Sequence, residues 1–144
     1  MTDIVSVPMD LVPTPLFRKK YNISYSDSDF DGTEKFEIVF SNLCPDNIPD
    51  CLNVDGTLNT TAVPDADTST DIALELVEQG DVACYVKIAE TATVTLSEDV
   101  DVKGMFLRKK TGGFVLMAMV NQKPMRFCDG MTFEADNTLF ILEG

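Results

Sequence analysis

Apolar and polar residues alternate along much of this chain with the period of two that a half-buried strand requires. Phe36, Ile38 and Phe40 alternate with Glu37, Val39 and Ser41. Val82, Cys84, Val86 and Ile88 alternate with Ala83, Tyr85 and Lys87. Thr91, Thr93 and Thr95 alternate with Ala92, Val94 and Leu96, and β-branched residues favour the pleated surface. Residues 102–109 and 114–120 read as a pair of strands around Lys110-Thr111-Gly112-Gly113, where glycine supplies the positive φ of a tight turn. Asn121-Gln122-Lys123-Pro124 is predicted to turn the chain again. Short strands are then expected at 125–128, 131–134 and 139–142, separated by Asp129-Gly130 and Asp136-Asn137. The last of these should be tied into the sheet.

Other segments are less regular. Residues 71–77 read either as a short helix capped by Ser69 or Thr70, or as a strand carrying Ile72, Leu74 and Leu76 on one face. A hairpin over 71–89, turning at Gln79-Gly80-Asp81, is the preferred reading. Residues 42–70 hold Pro45, Pro49 and Pro64 among Asp, Asn and Thr, with Leu52, Val54 and Leu58 forming a short strand or a loop anchored on the core. Residues 1–30 read as a partly extended arm, because Pro8, Pro13 and Pro15 lack ladder N–H groups. A short strand is expected around Tyr21, Ile23 and Tyr25 within it. Residues 31–144 then form a single β domain. Many short strands with polar turns indicate an all-β fold, a compact antiparallel sandwich or small barrel. Deleting residues 1–20 is expected to leave the domain folded and to weaken self-association.

Charge narrows the partners. The chain has 24 acidic and 11 basic residues, a net charge of -13, and the imbalance lies wholly in residues 1–98. A field of that sign repels phosphate backbones and anionic lipid surfaces, so neither direct nucleic-acid binding nor membrane association is expected. The first residues lack the charged start and apolar run of a secretory signal, so the thiols are expected to be reduced. Four cysteines allow three full pairings, and a Cys44–Cys51 bridge is possible in principle. Their spacing is wrong for a zinc pair. Cys84 falls on the apolar phase of its strand and reads as core, and nothing marks Cys128 as a nucleophile. The absence of histidine removes the common triads and most zinc enzymes. No catalysis and no cofactor are expected.

One local pattern could carry chemistry. Asp27, Asp29 and Asp31 precede Gly32, which matches the first half of a calcium loop. Ile38 stands where the bidentate Glu belongs, so the pattern reads as a cation site of another kind, borrowing Glu34 or Glu37, or as a solvated acidic turn. Arg108, Lys109 and Lys110, with Lys103, Lys123 and Arg126, form a candidate positive patch that would meet an acidic surface, including another copy of the chain. The other reading is a solvated hairpin end. Leu16 and Phe17 are the arm's candidate interface residues. The methionines of the last third read as core or as an adaptable contact surface.

The segments Val102-Lys103-Gly104-Met105-Phe106-Leu107 and Gly112-Gly113-Phe114-Val115-Leu116, followed by an apolar terminal strand, resemble small virion accessory proteins of tailed phages. The likeness covers roughly residues 90–144. It implies a head, neck or tail surface subunit, assembled in the host cytoplasm, whose partners are its own copies or other virion proteins. The residues themselves leave a second class open, an acidic module that occupies a basic host or phage protein surface by charge mimicry. An enzyme would require clustered carboxylates of perturbed pKa in a pocket.

Overall fold

The computed structural model describes residues 4–6, 12–14, 30–64, 67–79, 83–88, 92–95, 99–127, 132–135 and 138–142. Eleven strands run through them: β1 (Ile4–Ser6), β2 (Val12–Pro13), β3 (Phe36–Ser41), β4 (Asp67–Thr68), β5 (Leu74–Gln79), β6 (Ala83–Ile88), β7 (Ala92–Thr95), β8 (Val100–Lys109), β9 (Val115–Phe127), β10 (Thr132–Ala135) and β11 (Thr138–Leu142). They form a five-stranded sheet in the order β2-β9-β8-β3-β4, and three-stranded sheets in the orders β11-β6-β5 and β1-β10-β7. All pairings are antiparallel except β1 with β10. The fold is therefore all-β, and none of these sheets closes into a barrel.

The centre of the molecule is the ribbon of β3, β8 and β9. Cross-strand partners share a face of a sheet. Val39 pairs with Phe106, and Phe106 with Ala118. Ser41 pairs with Gly104, which pairs with Val120. These residues make one face. Ile38 with Leu107 and Met117, and Phe40 with Met105, make the other. Phe36 continues that second face and stacks on Phe30 with ring centroids 6.4 Å apart. Phe36, Ile38, Phe40, Met105, Leu107 and Met117 are buried on this face and Val39, Phe106 and Ala118 on the other, so both faces of the ribbon are covered. Five of the six are Phe, Met or Leu, and at these positions the methionines are core.

At one end of the ribbon, Gly112 and Gly113 take φ of 82° and 77°. The turn is closed by Lys109 N–H donating to Phe114 O at 2.8 Å and Gly113 N–H donating to Lys109 O at 3.1 Å. At the other end the expected turn at Asn121–Pro124 does not form. β9 runs straight through it to Phe127. Gly104 faces Val120 and Val102 faces Met125, so residues 121–124 stand opposite Lys103 alone. The polar run is an enlarged bulge, not a reversal. Proline has no N–H for the ladder and so fits an unpaired stretch, while Val100, Asp101 and Val102 draw Met125, Arg126 and Phe127 back into register.

Residues 74–88 form the hairpin preferred over a helix, with β5 and β6 paired from Leu74↔Ile88. β11 pairs with β6 along its whole length, which ties residues 138–142 into a sheet. Within residues 1–30, two described stretches join sheets. Ile4–Ser6 pairs with β10. Val12 and Pro13 pair with Ala118 and Met117 at the edge of the large sheet. Thr14 is buried, its N–H donates to Leu116 O at 2.9 Å and its hydroxyl to Val115 O at 2.8 Å. Deleting this stretch removes a paired edge strand. The strand expected near Tyr21–Tyr25 lies outside the described residues, as do Gly80 and Asp81 of the turn expected at Gln79-Gly80-Asp81.

Candidate functional site

The segment 42–64 contains no regular strand, yet it covers the small-residue face of the ribbon. Its base is drawn together by one side chain. Ser41 is fully buried, and its Oγ lies 2.6 Å from both Leu43 O and Pro64 O, so one hydroxyl serves both ends of the segment. Inside it, residues 48–51 form a single 3-10 turn. Asp55 accepts from Thr57 N–H at 3.0 Å and from its hydroxyl at 2.6 Å, which closes a second turn. These local side-chain bonds do for an irregular backbone what ladder bonds do for a strand. Leu52 and Leu58 meet in an isolated bridge, and Val115 N–H donates to Gly56 O at 2.9 Å. The reading of Leu52 and Leu58 as loop anchors holds. Val54 is instead 98% exposed at the turn's tip.

Under this cap, Cys44, Cys51, Leu58 and Val63 pack against Val39, Phe106, Val115 and Ala118. Small residues make the space. A Cβ on Gly104 would stand 2.7 Å from the Phe106 ring and 2.9 Å from Cys44 Sγ. The thiols of Cys44 and Cys51 are free and buried, and both belong to this cluster. Cys51 Sγ also lies 3.5 Å from Asn47 O and 3.7 Å from Pro45 O. Burial raises both thiols above the ordinary range, and Cys51 is pushed up to about 12. A protonated thiol is what such a site favours. Beside the pair, Lys103 Nζ is 2.9 Å from Asp46 Oδ1, and its charge works against the upward shift of Cys44.

The structure brings Arg108, Lys109 and Lys110 to one end of the ribbon. Arg108 Nη2 and Nε lie 2.9 and 3.0 Å from Glu37 Oε1, across a half-buried β3–β8 pair. Lys110 Nζ is 2.6 Å from Asp71 Oδ1, and that bond raises the lysine's pKa. Arg126 reaches Asp99 at 3.4 Å and Asp101 at 3.3 Å. The candidate patch therefore consists largely of cations that already hold acids of their own chain. Water screens the exposed pairs of Lys110 and Arg126, so each adds little to stability. Leu16 and Phe17 lie outside the described residues.

Of the aspartate loop, Asp31 is described and Asp27 and Asp29 are not. Asp31 Oδ1 accepts from Thr33 N–H at 2.9 Å, closing a local turn, and hydrogen bonding from Thr33 holds its carboxyl below the usual range. Among the described residues no three His, Cys, Asp or Glu side chains gather as a metal-binding group. Nor is any helix among them long and apolar enough to cross a membrane, which says nothing of spanning strands. Sequence reasoning left a Cys44–Cys51 bridge possible in principle, and the structure has both thiols free. The sequence could not point to Glu37–Arg108 or Lys103–Asp46, whose partners are distant in the chain and meet only through strand register.

No family model, curated protein or solved structure matches this chain.

Proposed function

We propose that the chain is a structural or assembly subunit of a phage virion, a head, neck or tail surface component that works without catalysis. Its partners would be copies of itself or other virion proteins, and its place the assembled particle. The observation that carries this reading is the placement of the N-terminal strands. β1 adds to β10 at the edge of one sheet, and β2 adds to β9 at the edge of another. A short arm held by edge-strand pairing is the element that subunits can exchange or lend to a neighbour, since main-chain bonds form equally well between chains. The resemblance of the β8–β9 region to small virion proteins points the same way. In this reading the sheets stack as a sandwich, with the cap of residues 42–64 on one outer face.

The test is the mass of the purified protein in solution, by light scattering across a concentration range at physiological salt. A discrete oligomer, or stepwise growth into larger particles, is expected. A 15.9 kDa monomer at every concentration overturns self-assembly. The second reading, an acidic module that covers a basic protein surface, draws on the concentration of the whole charge imbalance in residues 1–98 and on the exposure of Asp46, Asp50 and Asp55.

A further inference from the structure

We propose that the N-terminal arm is exchanged between copies, so that Val12, Pro13 and Thr14 of one chain dock on residues 115–118 of a second and form the joint between subunits. The course of residues 83–142 makes such a joint available. Ala83 pairs with Leu142, Ala92 with Ala135, Val100 with Phe127 and Arg108 with Val115. β6, β7 and β8 therefore run outward, and β9, β10 and β11 run back along them, as one long hairpin shared among three sheets. Its two edges are filled differently. The outgoing strand takes β5 on β6 and β3 on β8. Among the described residues, the return strand takes only β1 on β10 and β2 on β9.

The backbone pairings of the described arm residues all run to that return strand. Ile4–Ser6 pairs with residues 132–134, and Val12 and Pro13 pair with Ala118 and Met117. An arm supplied by another copy makes the same bonds and leaves the ladders of β3, β5 and the long hairpin as they are. Thr14 specifies whose arm fits. It is 3% exposed and donates twice, its N–H to Leu116 O at 2.9 Å and its hydroxyl to Val115 O at 2.8 Å. A foreign strand without a hydroxyl at this position leaves Val115 O short of that donor, whereas a second copy brings the matching residue. Length and charge permit the crossing. Between Thr14 and Phe30 lie 15 residues, a reach of up to roughly 50 Å. The acceptor stretch 115–135 carries Lys123, Arg126, Asp129 and Glu134, a net charge of zero, so the arm of an acidic neighbour meets no field of its own sign there. This joint rests on the self-assembly reading, since subunits held together present the acceptor edge at high local concentration.

The experiment uses the full chain. Val12 is 47% exposed, so the photoreactive p-benzoylphenylalanine is placed there. The unlabelled Val12 variant and an excess of isotope-labelled wild type are unfolded together in urea, refolded at high concentration, irradiated, digested and mapped by mass. A link from the unlabelled arm peptide to the labelled peptide spanning residues 115–120 is expected. Adding Thr14→Val should lower that link several-fold, and Thr14→Ser should keep it. Links only to residues 115–120 of the same unlabelled chain overturn the exchange. Where light scattering shows an oligomer alongside such links, self-assembly stands and only the joint is wrong. A monomer with such links overturns both. A link to another part of the labelled chain, or no link from a folded variant, also overturns the exchange. If the Val12 variant lacks the wild-type circular dichroism spectrum, a mixture of labelled and unlabelled wild type decides. Isotope-filtered NOEs between Val12–Thr14 of one chain and residues 115–118 of another are then expected, and their absence overturns the joint.

Discussion

The two faces of the β3–β8–β9 ribbon are covered by opposite means. One face presents large side chains, Phe36, Ile38, Phe40, Met105, Leu107 and Met117, all nearly or wholly removed from solvent. The other presents Val39, Ser41, Gly104 and Ala118 beside the single large ring of Phe106, and it accepts an irregular cap. On the first face the sheet supplies the volume. On the second the cap supplies it, with Cys44, Cys51, Leu58 and Val63. A loop can serve as a wall of the core only if its backbone polar groups find partners, and Ser41, Asp55 and Asn59 provide them. The large-residue face rests chiefly on apolar area, whereas the capped face rests on fit and on a few specific hydrogen bonds.

The contrast can be broken from either side. Phe40→Ala on the large-residue face should cost about 3–5 kcal/mol, read as a lower denaturation midpoint, because it leaves a cavity in the central strand. Gly104→Val on the capped face should cost about 1–3 kcal/mol by overpacking. It should also expose Cys44 to Ellman's reagent in the folded protein, which Phe40→Ala should not do at equal stability. Ser41→Ala removes the one hydroxyl shared by Leu43 O and Pro64 O and should cost about 1–3 kcal/mol. Its effect should be seen first as faster proteolysis within residues 42–64.

Alkaline titration separates the faces by chemistry. The unfolded Cys51 thiol ionises near 9.0, and the folded one holds its proton until about 12. The folded state therefore binds the extra proton between those values, and the stability this group contributes is intact below pH 9 and lost as pH rises toward 12. Cys51→Ala should flatten that part of the stability curve relative to wild type, as measured by urea unfolding at each pH. The smallest effect should come from Lys110→Ala, which removes an exposed, solvent-screened pair with Asp71 and should leave the urea midpoint nearly unchanged, the more so at high salt.

How legible these parts were in the sequence follows the same division. The alternation of Phe36, Ile38 and Phe40 announces a strand because one face is uniformly large. Gly112-Gly113 announces a reversal because both residues must take positive φ, which few others tolerate. Asn121–Pro124 looks equally like a turn, since polarity and proline are shared by turns and bulges. What distinguishes them is whether the flanking strands pair with each other or with a third, and that lies in Val100–Val102, some 20 residues upstream. Residues 42–64 show no period because a cap buries residues wherever its path touches the sheet. The two cysteines were visible only as a possible pairing among four. Their burial, the neighbouring Lys103 and the room left by Gly104 were not, because each depends on register across β8.

The pairing of β1 with β10 sets an order on the folding of the chain. Ile4 aligns with Thr132, and the Thr14 hydroxyl reaches Val115 across 101 positions. During synthesis β1 and β2 have no partner until residues 117–134 have emerged, while the β5–β6 and β8–β9 hairpins can close early from local contacts. Contacts of such long sequence separation are assembled late and slowly, because the entropy of closing the intervening loop precedes any gain. The nascent β1–β2 segment is therefore the part of the molecule exposed longest to other chains. Whether it docks on its own sheets or on a neighbour's is decided in that interval, by local chain concentration against the rate at which residues 115–135 fold.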